Sequence, residues 1–306
     1  MSSSEENKFI VLDKTSTIKV EGDDRIQFLQ GQLTQDINLI SQSKALYAGF
    51  CNPKGRLLAF MLCYAAYDAI HIQLDSSIKE SILKKLKMYV LRAKVSLNLL
   101  EETFTSIGFV GSQALIERDI KIPKNHLDIV QYHDLIIMRL GQDGERYQLM
   151  GEAFKVSEFI KLNFVKYSTM SVDDWNNLNI LDGIPDIYPT TQEAFIPQSL
   201  NMDLIEGINF KKGCYTGQEI VARTHYLGKV KRRMYRAFVN SASDFIPGDK
   251  ILSRNGEDIG QLVRSAKDNN KKTNLLIEIR VDQAHEGLFI KNELIEIFSE
   301  DQKRFD

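Results

Sequence analysis

The feature that most restricts how this chain can fold is a cysteine set close to two glycines and surrounded by cations. Cys214 follows Gly213 and precedes Gly217 by three residues, within the segment FKKGCYTGQEIVARTHYLGKVKRR of residues 210–233. Glycines this close to a thiol predict a tight turn that needs a positive φ or a close approach of the backbone. The residues Gln218–Tyr226 then predict a short helix.

Two interpretations of Cys214 remain open at this level. A thiol just ahead of a helix N-terminus, and near Lys211 and Lys212, should have thiolate character. The alternative is a small buried side chain with a packing role. Cys51 and Cys63 lie in apolar runs and are interpreted as packing residues.

Composition narrows the class of protein. The chain has 306 residues, three cysteines and a formal net charge of −2. This length predicts two or three domains, and the small net charge argues against a general polyanion-binding role. The few, widely spaced cysteines argue against a disulfide scaffold and match no zinc-site spacing. The polar N-terminus and the lack of an apolar run of about twenty residues predict a cytoplasmic protein with no membrane partner.

The N-terminal half predicts strands with interspersed helices. Two apolar runs, residues 45–51 and 56–66, flank the turn sequence Asn52-Pro53-Lys54-Gly55 and predict a β-hairpin. Ser77 and Glu80 have the spacing of a capping box, which predicts the start of an amphipathic helix.

The only tryptophan of the chain lies in a predicted helix that ends at Gly183. Ser171 and Asp174 have capping-box spacing for this helix. Its apolar face is predicted to carry Trp175, Leu178 and Leu181. Trp175 is either a core anchor or a ring that stacks on a planar heterocycle, and both interpretations stay open here.

The C-terminal segment predicts a small all-β unit. Short strand patterns recur after Met234, with a turn at Pro247-Gly248-Asp249 and a hairpin signal at Asn255-Gly256. Just before them, the basic run from Lys229 to Arg236 could grip phosphates beside stacking tyrosines. The alternative is a solvated strand or a patch for an acidic protein, which we favour.

The cysteine segment also carries a family resemblance. Residues 212–219, KGCYTGQE, resemble the K-G-C-Y-x-G-Q-E signature of the YgfZ family of folate-binding proteins. That family belongs to the superfamily of the glycine-cleavage T-protein, an aminomethyltransferase. Further matching segments, in chain order, are Gly22–Asp24, Phe28–Asp36, Pro53–Arg56, Leu91–Val95 and Phe195–Gln198. The resemblance spans most of the chain and is weakest beyond Val239.

The resemblance implies an α+β, multi-domain, T-protein-like folate-binding fold with a C-terminal antiparallel β-barrel. It implies a T-protein-like region over residues 1–233, built from two interleaved α+β subdomains, one of them around residues 45–150. The barrel domain is expected over residues 234–306.

The resemblance also implies a folate site. The family motif W-x-x-x-x-I-x-x-G-x-P is matched from Trp175 to Pro185, which implies that Trp175 contacts tetrahydrofolate or a one-carbon derivative. Asp182 stands where the superfamily usually has a glutamate that pairs with the amino-pyrimidine edge of the pterin. A carboxylate can accept two hydrogen bonds from that edge. Lys14 stands where some members have a tryptophan, and it is a candidate contact to a folate carboxylate.

The T-protein's chemistry is not expected here. Its acidic pair follows the hairpin glycine, and Ala59 and Phe60 stand there in this chain. Neither side chain can accept a proton. The resemblance therefore implies a factor that supports iron–sulfur cluster assembly or repair and, through it, tRNA modification by methylthiolation. The alternative is a folate-dependent one-carbon transferase or demethylase.

In this interpretation Cys214 is the reactive thiol. The implied partners are folate and iron–sulfur enzymes such as the tRNA methylthiotransferase, and direct tRNA binding is not favoured. No resident metal site is expected, because clusters are usually held by four thiolates.

Overall fold

The computed structural model describes residues 7–141 and 144–304. The chain divides into two compact units. Unit 1 holds Met1–Gly31, Asp36–Tyr47 and Met61–Ser171, and unit 2 holds Gln32–Gln35, Ala48–Phe60 and Val172–Asp306. The domain boundary expected between residues 233 and 234 stays a prediction.

Unit 1 is a mixed arrangement of strands and short helices. In chain order these are β1 (Lys8–Val11), β2 (Thr15–Glu21), α1 (Arg25–Gln30), β3 (Leu46–Cys51), β4 (Leu57–Ala66), β5 (Ala69–Asp75), α2 (Lys79–Met88), β6 (Ser96–Leu99), β7 (Phe104–Val110), α3 (Gln113–Ile116), β8 (Ile129–Tyr132), β9 (Leu135–Arg139), β10 (Arg146–Glu152), α4 (Ala153–Asn163) and β11 (Ser168–Thr169). One sheet has the order β3-β4-β5-β2-β6 and the other β11-β1-β7-β10-β9-β8. The chain passes between the units within β3 and within β4.

The second sheet is held by an aromatic core. Phe109 of β7 stacks on Tyr147 of β10 with ring centroids 5.2 Å apart, and Phe164 contacts Phe109 at the same distance. Helix α4 packs Phe159 against this cluster. Each buried aromatic removes a large apolar surface from water, so these rings supply much of the stability of this sheet.

Helix α2 forms where its apolar period predicts, but its start differs from the expectation. Ile82 and Leu86 are buried. The predicted capping box of Ser77 and Glu80 is wrong: α2 begins at Lys79 without a side-chain cap. Instead the Asp75 carboxylate accepts hydrogen bonds from the Ser77 backbone and hydroxyl. Because Asp75 accepts both of these hydrogen bonds, the residues Ser76–Ile78 form a 3₁₀ turn that leads into α2.

Unit 2 contains a closed antiparallel barrel. Its elements in chain order are α5 (Val172–Leu181), α6 (Gln218–Tyr226), β12 (Arg232–Val239), β13 (Lys250–Ser253), β14 (Asp258–Lys267), β15 (Thr273–Arg280), β16 (Leu288–Ile290), β17 (Glu293–Ile297) and α7 (Ser299–Gln302). The barrel order is β12-β15-β14-β13-β16-β17. Closure leaves no unpaired sheet edge. The predicted α+β fold with a C-terminal barrel is therefore confirmed.

None of the helices within residues 7–141 and 144–304 has the length and apolar content that a membrane crossing requires.

The barrel is tied to its flanking helices by one arginine. The buried carboxylate of Asp301 in α7 accepts hydrogen bonds from Arg236 of β12, through its backbone N at 2.7 Å and its Nη2 at 2.6 Å. The same guanidinium donates to the Leu181 carbonyl at the end of α5, at 3.0 Å. One side chain thereby joins β12, α5 and α7.

Replacing Asp301 with alanine should lower the free energy of unfolding by about 2–3 kcal/mol, because Arg236 loses its main acceptor. The midpoint of chemical denaturation measures this change. Glu300→Ala is the matched control. The Glu300 carboxylate meets the same guanidinium at 3.2 Å but its side chain is 82% exposed, so its loss should cost less than about 1 kcal/mol. Equal losses from the two variants would contradict the prediction.

Candidate functional site

The thiol of Cys214 lies on an irregular loop that runs directly into helix α6. Cys214 is exposed, and three residues separate it from Gln218, the first residue of the helix. The backbone N–H of Gln218 donates to the Tyr215 carbonyl at 3.1 Å, which starts the helix. The predicted helix bounds, Gln218–Tyr226, are confirmed.

Lys212, two residues before this thiol, points into the protein. Lys212 is buried, and its Nζ donates to the carbonyls of Leu33 at 2.6 Å and Gln35 at 2.8 Å. The ammonium also lies 5.1 Å from the centre of the Tyr215 ring, a cation–π distance. Of the two lysines predicted to flank Cys214, only Lys211 is exposed. Lys212 therefore anchors the loop.

The glycine prediction is correct for one glycine and wrong for the other. Gly217 has φ +83°, and a Cβ there would lie 2.4 Å from the Asn52 carbonyl oxygen. A side chain at that position would therefore be strained and would clash with backbone. A Cβ at Gly213 would meet nothing within 4 Å. Gly217 is required by the fold of this loop, whereas Gly213 has room for a side chain.

The backbone that Gly217 approaches is the turn of the predicted β3–β4 hairpin. The Asn52 side-chain oxygen accepts from the backbone N of Lys54 at 2.9 Å and of Arg56 at 3.0 Å. The Arg56 guanidinium donates to the Ala194 carbonyl at 2.6 Å. Lys54 and Arg56 are exposed, so this turn presents cations on the surface that also carries the thiol loop.

A stacked ring pair closes the cysteine loop. Phe210 before the loop stacks on His225 of α6, with centroids 3.7 Å apart and planes 10° apart. The Tyr226 ring meets Phe210 edge-on at 6.3 Å. This stacking fixes the two ends of the segment on each side of Cys214.

The other two thiols are inaccessible. Cys51 and Cys63 are both buried, as predicted, and burial raises the pKa of each thiol to about 12. At neutral pH both remain protonated, and the thiolate is the reactive form. Cys214 is thus the one cysteine of the three that solvent reagents can reach.

The two predicted folate residues of unit 2 lie in helix α5 and directly after it. Trp175 is buried and Asp182 is half-buried, seven residues later. The helix ends at Leu181, two residues before the predicted end at Gly183, whose φ is +66°. Leu181, predicted on the same apolar face, is instead 46% exposed.

Side chains of the barrel hold α5 in place. Arg264 of β14 is buried and donates to the Asn176 side chain at 2.8 Å and to the Asp186 carboxylate at 2.9 Å. Asn177 donates to the Lys267 carbonyl at 2.8 Å. These bonds fix the helix that positions Trp175.

Three further positions from the sequence analysis are Lys14, Ala59 and Phe60. Lys14 is exposed in the turn between β1 and β2 of unit 1, where its carbonyl accepts from the Ser76 backbone N at 2.8 Å. Ala59 and Phe60 are buried within β4. Within the described ranges, no cluster of three or more His, Cys, Asp or Glu side chains could hold a metal ion.

The arginines of the basic run are committed to ion pairs. Arg233 makes a two-pronged bond to Asp203 at 2.6 and 2.9 Å, and Arg232 pairs with the buried Glu278 at 3.1 Å. Arg236 is bound to Asp301 as described above. These contacts are structural, and sequence reasoning missed them because the acidic partners lie 30–65 residues away.

Alkylation of the native protein should modify Cys214 alone, because the other thiols are buried and protonated. Intact-mass measurement after iodoacetamide treatment at pH 8 should show one added group, and the Cys214→Ser variant should show none. In denaturant the wild-type chain should take three groups. Modification of Cys51 or Cys63 in the native protein would contradict the burial described here.

No family model matches the chain. It is 32% identical over 230 residues to the tRNA-modifying protein YgfZ of Hamiltonella defensa, covering 74% of this chain and 68% of the relative. It is 32% identical over 256 residues to the protein of that name from Colwellia psychrerythraea, covering 82% and 78%.

Among solved structures, the glycine cleavage system aminomethyltransferase T from Bartonella henselae matches with a TM-score of 0.78 and 13% identity, over 98% of this chain and 87% of that one. This structural match shows a T-protein-like fold. The sequence identity extends over more than two thirds of both relatives, which confirms the family resemblance: the chain belongs to the YgfZ family.

Proposed function

We propose that this protein is a folate-binding factor that supports tRNA modification by helping to assemble or repair iron–sulfur clusters. The observation that carries the proposal is the exposure of Cys214 on a loop that the fold holds rigidly. The relatives described above are named as tRNA-modifying proteins, which supports the tRNA role. Cys214 is proposed as the reactive thiol.

The way in which Cys214 would act follows from its isolation. A resident cluster usually needs four thiolates, and the other two cysteines are buried. We therefore assign Cys214 a transient role, either as one ligand of a cluster shared with a partner or as a redox nucleophile. In this proposal the cluster is cargo, and the partner is an iron–sulfur enzyme such as the tRNA methylthiotransferase.

The charge around the thiol favours an acidic partner surface. Lys54, Arg56 and Lys211 are exposed on the hairpin turn and on the cysteine loop. Complementary charge speeds encounter and selects orientation more than it adds affinity. Direct tRNA binding has less support, because Arg232, Arg233 and Arg236 are bound to carboxylates.

The proposed folate site uses Asp182 and Trp175. A half-buried carboxylate suits the amino-pyrimidine edge of a pterin, which presents two donors. Trp175 is only 7% exposed, so it fits a wall against one part of the heterocycle better than an open stacking platform. Bound folate would supply a one-carbon carrier. Lys14 is proposed as a contact to a folate carboxylate.

A folate-dependent transferase or demethylase is the weaker candidate. Its support is the T-protein-like fold. Ala59 and Phe60 occupy the acidic positions, and these side chains offer no proton acceptor for aminomethyl transfer. Turnover of a one-carbon unit on tetrahydrofolate by the purified protein would favour this candidate.

Cells that lack the gene should lose methylthiolated adenosine in tRNA, and Cys214→Ala should fail to restore it, because the reactive thiol is absent. Mass spectrometry of digested tRNA measures the modification. Cys63→Ala is the matched control, since it removes a buried thiol, and it should restore the modification. Full restoration by Cys214→Ala would make the cysteine structural and contradict the proposed role.

Tetrahydrofolate should quench the protein's fluorescence, because the chain has one tryptophan and it lies at the proposed site. Asp182→Asn should weaken binding about tenfold or more, because it removes charge-assisted hydrogen bonds. Asp182→Glu should retain binding. Asp173→Asn, in the first turn of α5, is the control and should bind as wild type does. Unchanged affinity in Asp182→Asn would overturn the assignment of this carboxylate.

A further inference from the structure

A cavity in unit 1 has no role in the proposed function. Its volume is about 660 Å³, within the range of about 300–1,000 Å³ that is usual for small-molecule sites. The residues that line it include Lys19, Tyr67, His71, Phe104, Glu152 and Phe154. None of the residues assigned above to folate or to the thiol chemistry lines it.

His71 is the unusual residue of this cavity. It lies on β5 with 1% exposure, and neither ring nitrogen has a hydrogen-bond partner within the described parts of the chain. Tyr64 and Phe104 meet the imidazole edge-on at 5.2 and 5.4 Å. Burial, and then the nearby Lys19 ammonium, lower its pKa to about 4. At neutral pH the ring is uncharged, with one donor and one acceptor unused.

A buried imidazole without hydrogen bonds lowers the stability of the folded protein. Buried polar groups are almost always hydrogen-bonded, and an exception calls for a reason such as a ligand. A phenylalanine would fill the same position between Tyr64 and Phe104 without leaving two nitrogens unsatisfied. A histidine here is therefore better explained by recognition than by packing.

Aromatic side chains form the other walls. Phe154, in the first turn of α4, is 77% exposed, which is unusual for a phenylalanine. Tyr67 has φ +50°, a strained backbone for a bulky residue, and its hydroxyl donates to the Asp134 carbonyl. The rings of Phe154 and Tyr67 offer faces on which a flat molecule can stack.

The charges of the lining select against anions. The lining holds one ammonium, Lys19, and two carboxylates, Glu102 and Glu152, so its net charge is negative. Lys19 is itself paired with Glu21 at 2.7 Å. Glu152 in turn pairs with Lys155 at 3.5 Å, so the remaining excess of negative charge comes from Glu102, and it disfavours an anionic ligand such as the glutamate tail of a folate.

We propose that this cavity binds an uncharged, planar heteroaromatic molecule of the size of a nucleoside. The heterocycle would stack on Phe154 and Tyr67, and a small shift of the surrounding rings on binding would let its polar edge bond the His71 imidazole, whose nitrogens are enclosed in the unbound protein. The remaining volume accommodates a neutral polar substituent such as a sugar. This site is independent of the thiol and folate residues, so its test does not depend on theirs.

The test titrates the purified full chain with adenosine, inosine, cytidine and uridine, and with the 5′-monophosphate of each. Calorimetry and saturation-transfer NMR measure binding. At least one nucleoside should bind saturably in the millimolar range or tighter. Its monophosphate should bind about fivefold more weakly at low salt, because the negative lining repels phosphate. Absence of saturable binding by all four nucleosides overturns the proposal, and so does tighter binding of the monophosphate.

Phe154→Ser tests the stacking wall without disturbing the core, because the side chain is exposed. It should weaken the bound nucleoside about fivefold or more. Leu162→Ser, at a 60% exposed position of the same helix outside the cavity, is the matched control and should leave affinity unchanged. Equal weakening by both variants would contradict a specific contact.

His71→Phe separates recognition from structure. The variant should lose nucleoside binding at this cavity, because the imidazole is removed. Its midpoint of chemical denaturation should rise or stay unchanged, because two unsatisfied nitrogens are removed. In the wild type, the ¹⁵N resonances of the His71 imidazole should shift as the nucleoside is added. A large fall in stability in His71→Phe, with unshifted resonances in the wild type, would make His71 structural and overturn the proposal.

Discussion

The buried ammonium of Lys212 is the interaction on which the thiol loop depends. A charge removed from water is costly unless its donors are satisfied. Here Lys212 donates to the carbonyls of Leu33 and Gln35, which lie almost 180 residues earlier in the chain. The loop cannot shift without breaking these bonds, and Cys214, two residues later, is therefore presented at one defined place on the surface of unit 2.

The segment that receives Lys212 is itself fixed through a buried threonine. The Thr34 hydroxyl accepts from the Gly49 backbone N at 2.7 Å and donates to the Gly207 carbonyl at 2.6 Å. The sequence motifs around Thr34 and around Cys214 are therefore in contact, and each supports the backbone of the other. In the cysteine motif, Lys212 and Tyr215 point inward and Gly217 touches Asn52. Packing does not explain why the Cys214 side chain of this motif is exposed.

The sequence predicted the elements well and their long-range contacts poorly. The hairpin around Asn52, helix α6 and the barrel strands follow from local turn chemistry and periodicity, which neighbouring residues determine. The orientation of Lys212, the ion pairs of Arg233 and Arg236, and the unbonded state of His71 depend on residues distant in the chain. No local pattern reveals whether a lysine two residues before a cysteine faces the thiol or the protein interior. The burial of Cys51 and Cys63 was predictable because their neighbours are apolar.

Cys214 and His71 are two residues whose surroundings are not explained by packing or by charge pairing. Arg233 and Asp301 show the usual arrangement, since each charge is paired with an opposite charge within hydrogen-bond distance. Cys214 is a thiol exposed to solvent, and His71 is a buried ring whose two nitrogens have no hydrogen-bond partner among the residues that the structure describes. Selection for stability would bury the first and replace the second with an apolar ring. These two positions are therefore the ones at which we propose function, chemistry at Cys214 and recognition at His71.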